Sequence, residues 1–92
     1  MTRVDFDASA LSKRYVLEPG TAGVHRVFAR VPRDRMHVLA AGMGEVASVL
    51  VRRRNAGSLS ATAFARALAA FRAEVVDDPA VTKEDADAGF VR

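Results

Sequence analysis

The residues of this chain that could do chemistry are carboxylates beside short apolar segments. Asp7 follows the alternating segment 4–6, which predicts a strand, and precedes a segment of helical character. In open sheets of parallel strands, ligands bind at the carboxyl ends of the strands. A carboxylate at this point could hold a divalent cation, although Asp is also common as a helix cap or turn residue.

Glu45 is the second candidate, because it is the only acid between Asp34 and Glu74 and falls in the first turn of a predicted helix. If the strands before Asp7 and Glu45 are parallel neighbours, their carboxyl ends lie about 5 Å apart. The two carboxylates could then converge on one hard cation such as Mg²⁺. The alternative is that Glu45 interacts with Arg52 or with the positive end of its own helix.

Two further patterns could carry chemistry. Segment 38–47 contains G-x-G-x-x-A after a predicted strand, as in dinucleotide-binding proteins, but no acid follows about 20 residues later. The arginine run 52–54 could contact RNA phosphates or an acidic partner, or could form only a solvated helix end. His25 and His37 lie on different predicted elements, so we assign them to surface or strand packing.

The composition is that of an ordinary folded protein. Of 92 residues, 50% are hydrophobic and 27% are charged, and this length suits one core and one domain. Cysteine is absent, which excludes disulfide scaffolds, thiolate zinc sites and cysteine nucleophiles. The sequence shows no apolar run of roughly 18 residues and no signal peptide, so we expect a cytoplasmic protein that does not contact a membrane.

Charge is divided unevenly along the chain. Residues 1–76 carry twelve basic and six acidic side chains, whereas 77–92 carry two basic and five acidic ones. A basic body suits a polyanion or an acidic protein partner. We predict one domain over 1–76 and an acidic, poorly ordered tail over 77–92, in which no helical or strand pattern is found.

Hydrophobic spacing predicts the element order β-α-α-β-α-α. The strands are expected at 4–6 and 36–40, and the helices at 9–16, 21–31, 43–55 and 60–76. Ser9, Thr21 and Ser60 are the expected N-caps. Because the second strand is mostly apolar, we expect helices on both of its faces. The fold class is therefore α/β, with a small parallel sheet flanked by helices.

Residues 4–20 resemble the opening of PIN domains of the VapC toxin family. The segment reads VDFDASALSKRYVLEPG, and the family's usual form is a strand, Asp-x-Ser-Ala-Leu, a basic residue, Tyr and Glu-Pro-Gly. Four later features are also similar to this family: the dipeptide at 45–46, the arginine run 52–54, the Gly-Ser-Leu-Ser segment at 57–60 and the Ala/Arg/Phe helix after it. The resemblance covers about 4–76 and implies a partial PIN-like fold.

This resemblance implies the toxin of a type II toxin–antitoxin pair, a ribonuclease dependent on Mg²⁺ or Mn²⁺. Asp7 matches the family's first metal-binding acid, Glu45 the second, and Ser9 the hydroxyl residue beside the first acid. The implied partners are a cognate antitoxin, an RNA substrate and a second copy of the chain in a homodimer.

Two departures from the family pattern bear on activity. Segment 40–42 lacks the family's Ser or Thr, and the family's third and fourth acids lie on a later strand and helix. We therefore expect a C-terminally truncated form with weak or no nuclease activity, and assign no metal role to Asp77, Asp78, Asp85 or Asp87. The alternatives are a non-catalytic remnant, which binds antitoxin or another toxin copy through its last two helices, and an RNA-binding module without chemistry.

Overall fold

A three-stranded parallel sheet forms the centre of the computed structural model, which describes residues 2–85. The strands are β1 at Val4–Phe6, β2 at Met36–Leu39 and β3 at Thr82–Glu84. β2 is the middle strand and pairs with β1 on one side and with β3 on the other. The α/β class is confirmed, and the sheet has one strand more than the sequence predicted.

Four α-helices complete the described chain: α1 at Ala8–Ser12, α2 at Thr21–Arg30, α3 at Ala40–Asn55 and α4 at Ala61–Phe71. A 3₁₀ turn precedes β2, and a π-helical turn at Arg72–Val76 extends α4. None of these helices has the length and hydropathy of a membrane span.

The start of α1 differs from the prediction. The cap is Asp7, whose carboxylate accepts a hydrogen bond from the N–H of Ala10 at 2.7 Å. Ser9 therefore lies inside the helix, and its predicted role as the cap was wrong. The helix is also shorter than predicted, because the N–H groups of residues 13 to 15 bond to carbonyls three residues earlier, which tightens the chain into turns.

The caps of the later helices follow the sequence in part. Ser60 caps α4 as predicted and accepts a hydrogen bond from the N–H of Ala63 at 3.0 Å. Thr21 is not a cap, because α2 begins at Thr21 itself and its cap position is Gly20. The Thr21 hydroxyl instead donates to the carbonyl of Val16. α3 begins immediately after β2, earlier than the predicted start, so Glu45 lies in its second turn and its predicted place in the first turn was wrong.

One face of the sheet carries the core. Phe6, Met36 and Val38 are buried there, and the rings of Phe6 and Phe28 lie 5.4 Å apart between centroids. Burial of such side chains is the main stabilising contribution to a domain of this size. The other buried members of this core come from the helices, the π-helical turn and the residue before β3: Leu11, Phe28, Val46, Phe71, Val75 and Val81.

The opposite face of the sheet is not buried, and we call it the open face. In parallel pairing, registered residues point to the same side, and Asp5 pairs with His37 while Leu39 pairs with Glu84. Leu39 remains 47% exposed. The prediction that both faces of β2 are covered was therefore wrong for the described residues. The open face consists of Asp5, His37, Leu39, Thr82 and Glu84.

The segment after residue 76 contains regular structure that the sequence pattern did not predict. Val81 is buried, and Thr82–Glu84 pairs with β2. The expectation that no strand follows α4 was therefore wrong for residues 82–84. The rest of the predicted tail, 86–92, which includes Asp87, lies outside the described residues.

Candidate functional site

α1 and α3 begin where β1 and β2 end, and the two helices pack against each other. Gly42, in the first turn of α3, lies close to α1: a Cβ atom placed on it would be 3.8 Å from the Cβ of Ala8. This is ordinary van der Waals distance. The close packing brings the residues that follow the two strands into one region of the molecule, as parallel pairing predicts.

A cleft of about 920 Å³ lies between α1 and α3, and we call it the helix cleft. Ser9 and Glu45 both line it, together with Arg52 and Arg53 near the end of α3. Glu18 also lines it and lies 3.6 Å from Arg53 in an ion pair. The cleft therefore combines a hydroxyl, carboxylates and guanidinium groups, which are the groups that bind a hard cation and phosphate.

Asp7 lines a second concavity, which lies over the open face and measures about 420 Å³. One carboxylate oxygen of Asp7 is held by the cap hydrogen bond from Ala10, while the side chain itself is exposed. The structure thus brings two of the predicted site residues, Ser9 and Glu45, into one cleft. It places Asp7 on the neighbouring concavity, so the two carboxylates predicted to converge, Asp7 and Glu45, line different concavities.

The second concavity also contains a cluster of side chains that the sequence analysis did not identify. Asp5, His37 and Glu84 each offer a metal-ligand atom, and these atoms lie within 4.8 Å of one another. We call these three residues the sheet cluster. His37 Nδ1 lies 2.6 Å from Glu84 Oε1. Within residues 2–85, neither Asp7 nor Glu45 belongs to a group of three or more such ligands.

Arg3 neutralises part of the charge of this cluster. Its guanidinium Nη2 lies 2.8 Å from Asp5 Oδ1 and 2.7 Å from Glu84 Oε1. The hydrogen bond from Arg3 is the main reason that the pKa of Asp5 is lowered. The same bond raises the pKa of Arg3. Asp5 and Arg3 are therefore both charged at neutral pH, so a cation supplied by the chain lies against this carboxylate in the concavity.

The G-x-G-x-x-A pattern of the sequence lies in a helix. Gly42 and Gly44 both lie within α3, which follows Leu39 directly, so no glycine-rich loop separates the strand from the helix. The dinucleotide-binding interpretation therefore lacks the loop that would hold a pyrophosphate.

The two histidines have different surroundings. His25 Nδ1 lies 2.9 Å from a guanidinium nitrogen of Arg14. His37 is not only a packing residue, because it belongs to the sheet cluster.

Comparisons with known proteins assign no function to either concavity. No protein-family model, no curated protein and no solved structure matches this chain. The chemistry of the helix cleft and of the sheet cluster is therefore the basis for a functional proposal.

Proposed function

We propose that this chain is a VapC-like PIN domain, a metal-dependent endoribonuclease that acts in the cytoplasm as the toxin of a type II toxin–antitoxin pair. The observation that carries this proposal is the helix cleft, in which Ser9 and Glu45 lie with Arg52 and Arg53. The parallel pairing of β1 with β2 adds support, because Asp7 directly follows one strand end and α3, the helix that carries Glu45, begins at the neighbouring one.

Asp7 and Glu45 are the residues that would hold Mg²⁺ or Mn²⁺. Both carboxylates are exposed, and carboxylate oxygens are the ligands that these hard cations prefer. One oxygen of Asp7 is occupied by the Ala10 N–H, and the second is the one offered to a cation. These donors fit the ion by their chemistry, and because Asp7 lines the concavity beside the cleft that contains Glu45, one shared ion would draw the two side chains together. When bound, it would neutralise the scissile phosphate and lower the pKa of an attacking water.

The other residues of the cleft would bind and orient RNA. Arg52 and Arg53 supply charge-assisted hydrogen bonds for phosphate oxygens, and Glu18 restrains the guanidinium of Arg53. The Ser9 hydroxyl is exposed at the start of the cleft, where it can donate to a phosphate oxygen or to a carboxylate. Because two carboxylates bind a divalent ion less tightly than a larger set, we expect slow cleavage.

Cleavage of structured RNA by the purified chain tests the proposal. We expect slow cleavage in Mn²⁺ or Mg²⁺ that stops in EDTA, and a loss of about tenfold or more in Asp7→Asn and Glu45→Gln. Asp34→Asn is the matched control, since Asp34 is an exposed aspartate on the 3₁₀ turn and does not line either concavity. Circular dichroism would confirm that all variants fold.

The opposite outcomes identify the competing functions. RNA bound equally well in EDTA and never cleaved would show a binding module without chemistry. Cleavage that persists in Asp7→Asn and Glu45→Gln would show that the nuclease centre lies elsewhere or belongs to a contaminant.

A non-catalytic partner-binding protein is the second candidate. Val51 on α3 is 43% exposed, and Phe64 and Leu68 on α4 are only half-buried, so the α3–α4 hairpin presents apolar surface. This surface could bind an antitoxin or a second copy of the chain. A titration that detects no Mg²⁺ or Mn²⁺ binding, together with self-association that Val51→Lys weakens, would favour this function over the nuclease.

A further inference from the structure

We propose that the sheet cluster, Asp5, His37 and Glu84, is a binding site for a borderline transition-metal ion such as Zn²⁺. The site would be separate from the helix cleft. Each ligand comes from a different strand, and the three strands are hydrogen-bonded neighbours. The register fixes their relation: Asp5 is opposite His37, and Glu84 is opposite the residue two positions after His37. Strands hold such ligands more precisely than loops do.

The distances in the cluster suit a single ion after small side-chain movements. The ligand atoms lie within 4.8 Å of one another, and His37 Nδ1 and Glu84 Oε1 are in hydrogen-bond contact at 2.6 Å. Zinc binds imidazole nitrogen and carboxylate oxygen at about 2.0–2.2 Å, so ligand atoms on one tetrahedral ion are roughly 3.5 Å apart. An ion that enters the cluster would replace the contact between His37 and Glu84 and widen it to this spacing. Rotation of the exposed Asp5 side chain would bring in the third ligand without a change in the sheet.

Arg3 shows that this arrangement of carboxylates attracts a cation. Its guanidinium bonds to Asp5 and to Glu84 at the same time. Arg3 precedes β1, and its side chain is 51% exposed. The guanidinium can therefore leave the two carboxylates when a metal ion enters, and it competes with that ion. This competition makes the affinity for the metal depend on residue 3, which is not a ligand.

The ligand types favour zinc over magnesium. Imidazole nitrogen binds Zn²⁺, Cu²⁺ and Ni²⁺, whereas Mg²⁺ prefers a complete set of oxygen ligands and keeps its water. Three protein ligands leave one position of a tetrahedral ion for water or a small anion. The concavity over the open face has room for that fourth ligand. The site is thus distinct in metal preference from Asp7 and Glu45.

Calorimetric titration of the whole chain with ZnCl₂ tests this inference, and CoCl₂ adds a visible spectrum that reports coordination directly. We expect one ion per chain, with affinity reduced about tenfold or more in His37→Gln and in Glu84→Gln. Arg3→Ala should bind Zn²⁺ more tightly than the wild type, because the competing guanidinium is gone. MgCl₂ should give no comparable heat at this site.

Two controls separate this site from other surfaces and from the nuclease proposal. His25→Gln removes the other histidine, and Glu45→Gln removes a carboxylate of the helix cleft; both should bind Zn²⁺ like the wild type. Absence of Zn²⁺ binding would overturn the inference. A loss of Zn²⁺ affinity in His25→Gln as large as that in His37→Gln would also overturn it, as would weaker Zn²⁺ binding in Arg3→Ala. Because His37→Gln keeps a polar side chain, thermal unfolding can show that its fold survives. RNA cleavage need not be measured, so either proposal can fail alone.

Discussion

Glu74 shows how a single residue ties distant parts of the chain together. It lies on the π-helical turn and accepts hydrogen bonds from Arg14 at 3.2 and 2.8 Å and from the Tyr15 hydroxyl at 2.9 Å. Burial acts to raise the pKa of Glu74, but the hydrogen bonds from Arg14 and Tyr15, together with the charges of Arg14 and Arg33, outweigh it, so this pKa is lowered overall. The turn after α1 is thereby fixed to the end of α4.

This lowered pKa predicts a loss of stability in acid. Since the folded chain holds Glu74 ionised below its ordinary pKa of 4.5, the stabilisation is complete above that pH and is lost as the pH falls further. Glu74→Gln should lower the free energy of unfolding by about 1–3 kcal/mol at pH 7 and flatten its decline in acid. Urea unfolding between pH 7 and pH 3 measures both effects.

Glu45→Gln is the control for that experiment, because Glu45 is exposed. It should keep the decline of the wild type in acid. An unchanged acid slope in Glu74→Gln would show that other carboxylates dominate the acid response.

For single residues, the sequence can identify a candidate functional residue more readily than the residues it contacts. Asp7 was identified as a special position from the end of an apolar segment, and the structure gives it the capping role that the sequence had left open. The sheet cluster was missed, because it depends on pairing between residues far apart in the chain. The alternation of Asp5 with Val4 and Phe6 was a visible signal of an uncovered strand face.

At the scale of elements, the two faces of β2 should respond differently to mutation. Met36 is 1% exposed in the core, whereas Leu39 is 47% exposed on the open face. Met36→Ala should therefore cost about 2–5 kcal/mol in the free energy of unfolding. Leu39→Ala should change it by no more than about 0.5 kcal/mol. Denaturant unfolding of the two variants compares the faces directly, and a large cost at Leu39 would mean that something covers the open face.

The strands were predictable to different degrees for a physical reason. β1 and β2 contain apolar residues at alternate positions that are buried or half-buried, so their existence could be read from the sequence. β3 consists of Thr, Lys and Glu, and lies at the edge of the sheet with one face open. Next to it along the chain, Val81 is the buried apolar residue, just before the strand. A single apolar residue does not produce a periodic pattern, so β3 was missed.

At the scale of the molecule, arginine side chains supply most of the positive charge of residues 1–76. Two of these arginines line the helix cleft. The Arg53 guanidinium is already paired with Glu18, while Arg52 is exposed. Cations placed at a concavity bind a polyanion by releasing its counterions. The charge of the body thus becomes relevant to function at this cleft.

Salt dependence can show whether RNA uses these arginines. If both contact phosphates, Arg52→Ala with Arg53→Ala should make the plot of log affinity against log salt less steep by about 1 to 1.5 for single-stranded RNA. The matched control is Arg26→Ala with Arg30→Ala, since both are exposed arginines on α2 that do not line the cleft. Fluorescence anisotropy between low and moderate salt measures the slopes. Equal slopes in both double variants would mean that RNA phosphates contact basic residues over the whole surface and not at this cleft in particular.

The parallel order of the sheet also determines when the protein can complete its fold during synthesis. β2 needs β1 on one edge and β3 on the other, and Thr82 pairs with His37 across nearly half of the chain. Contacts so distant in sequence form late, after the local helices. Until Glu84 has left the ribosome, one edge of β2 therefore stays unpaired in the growing chain. During that interval the unpaired edge is open to pairing with a strand of another chain.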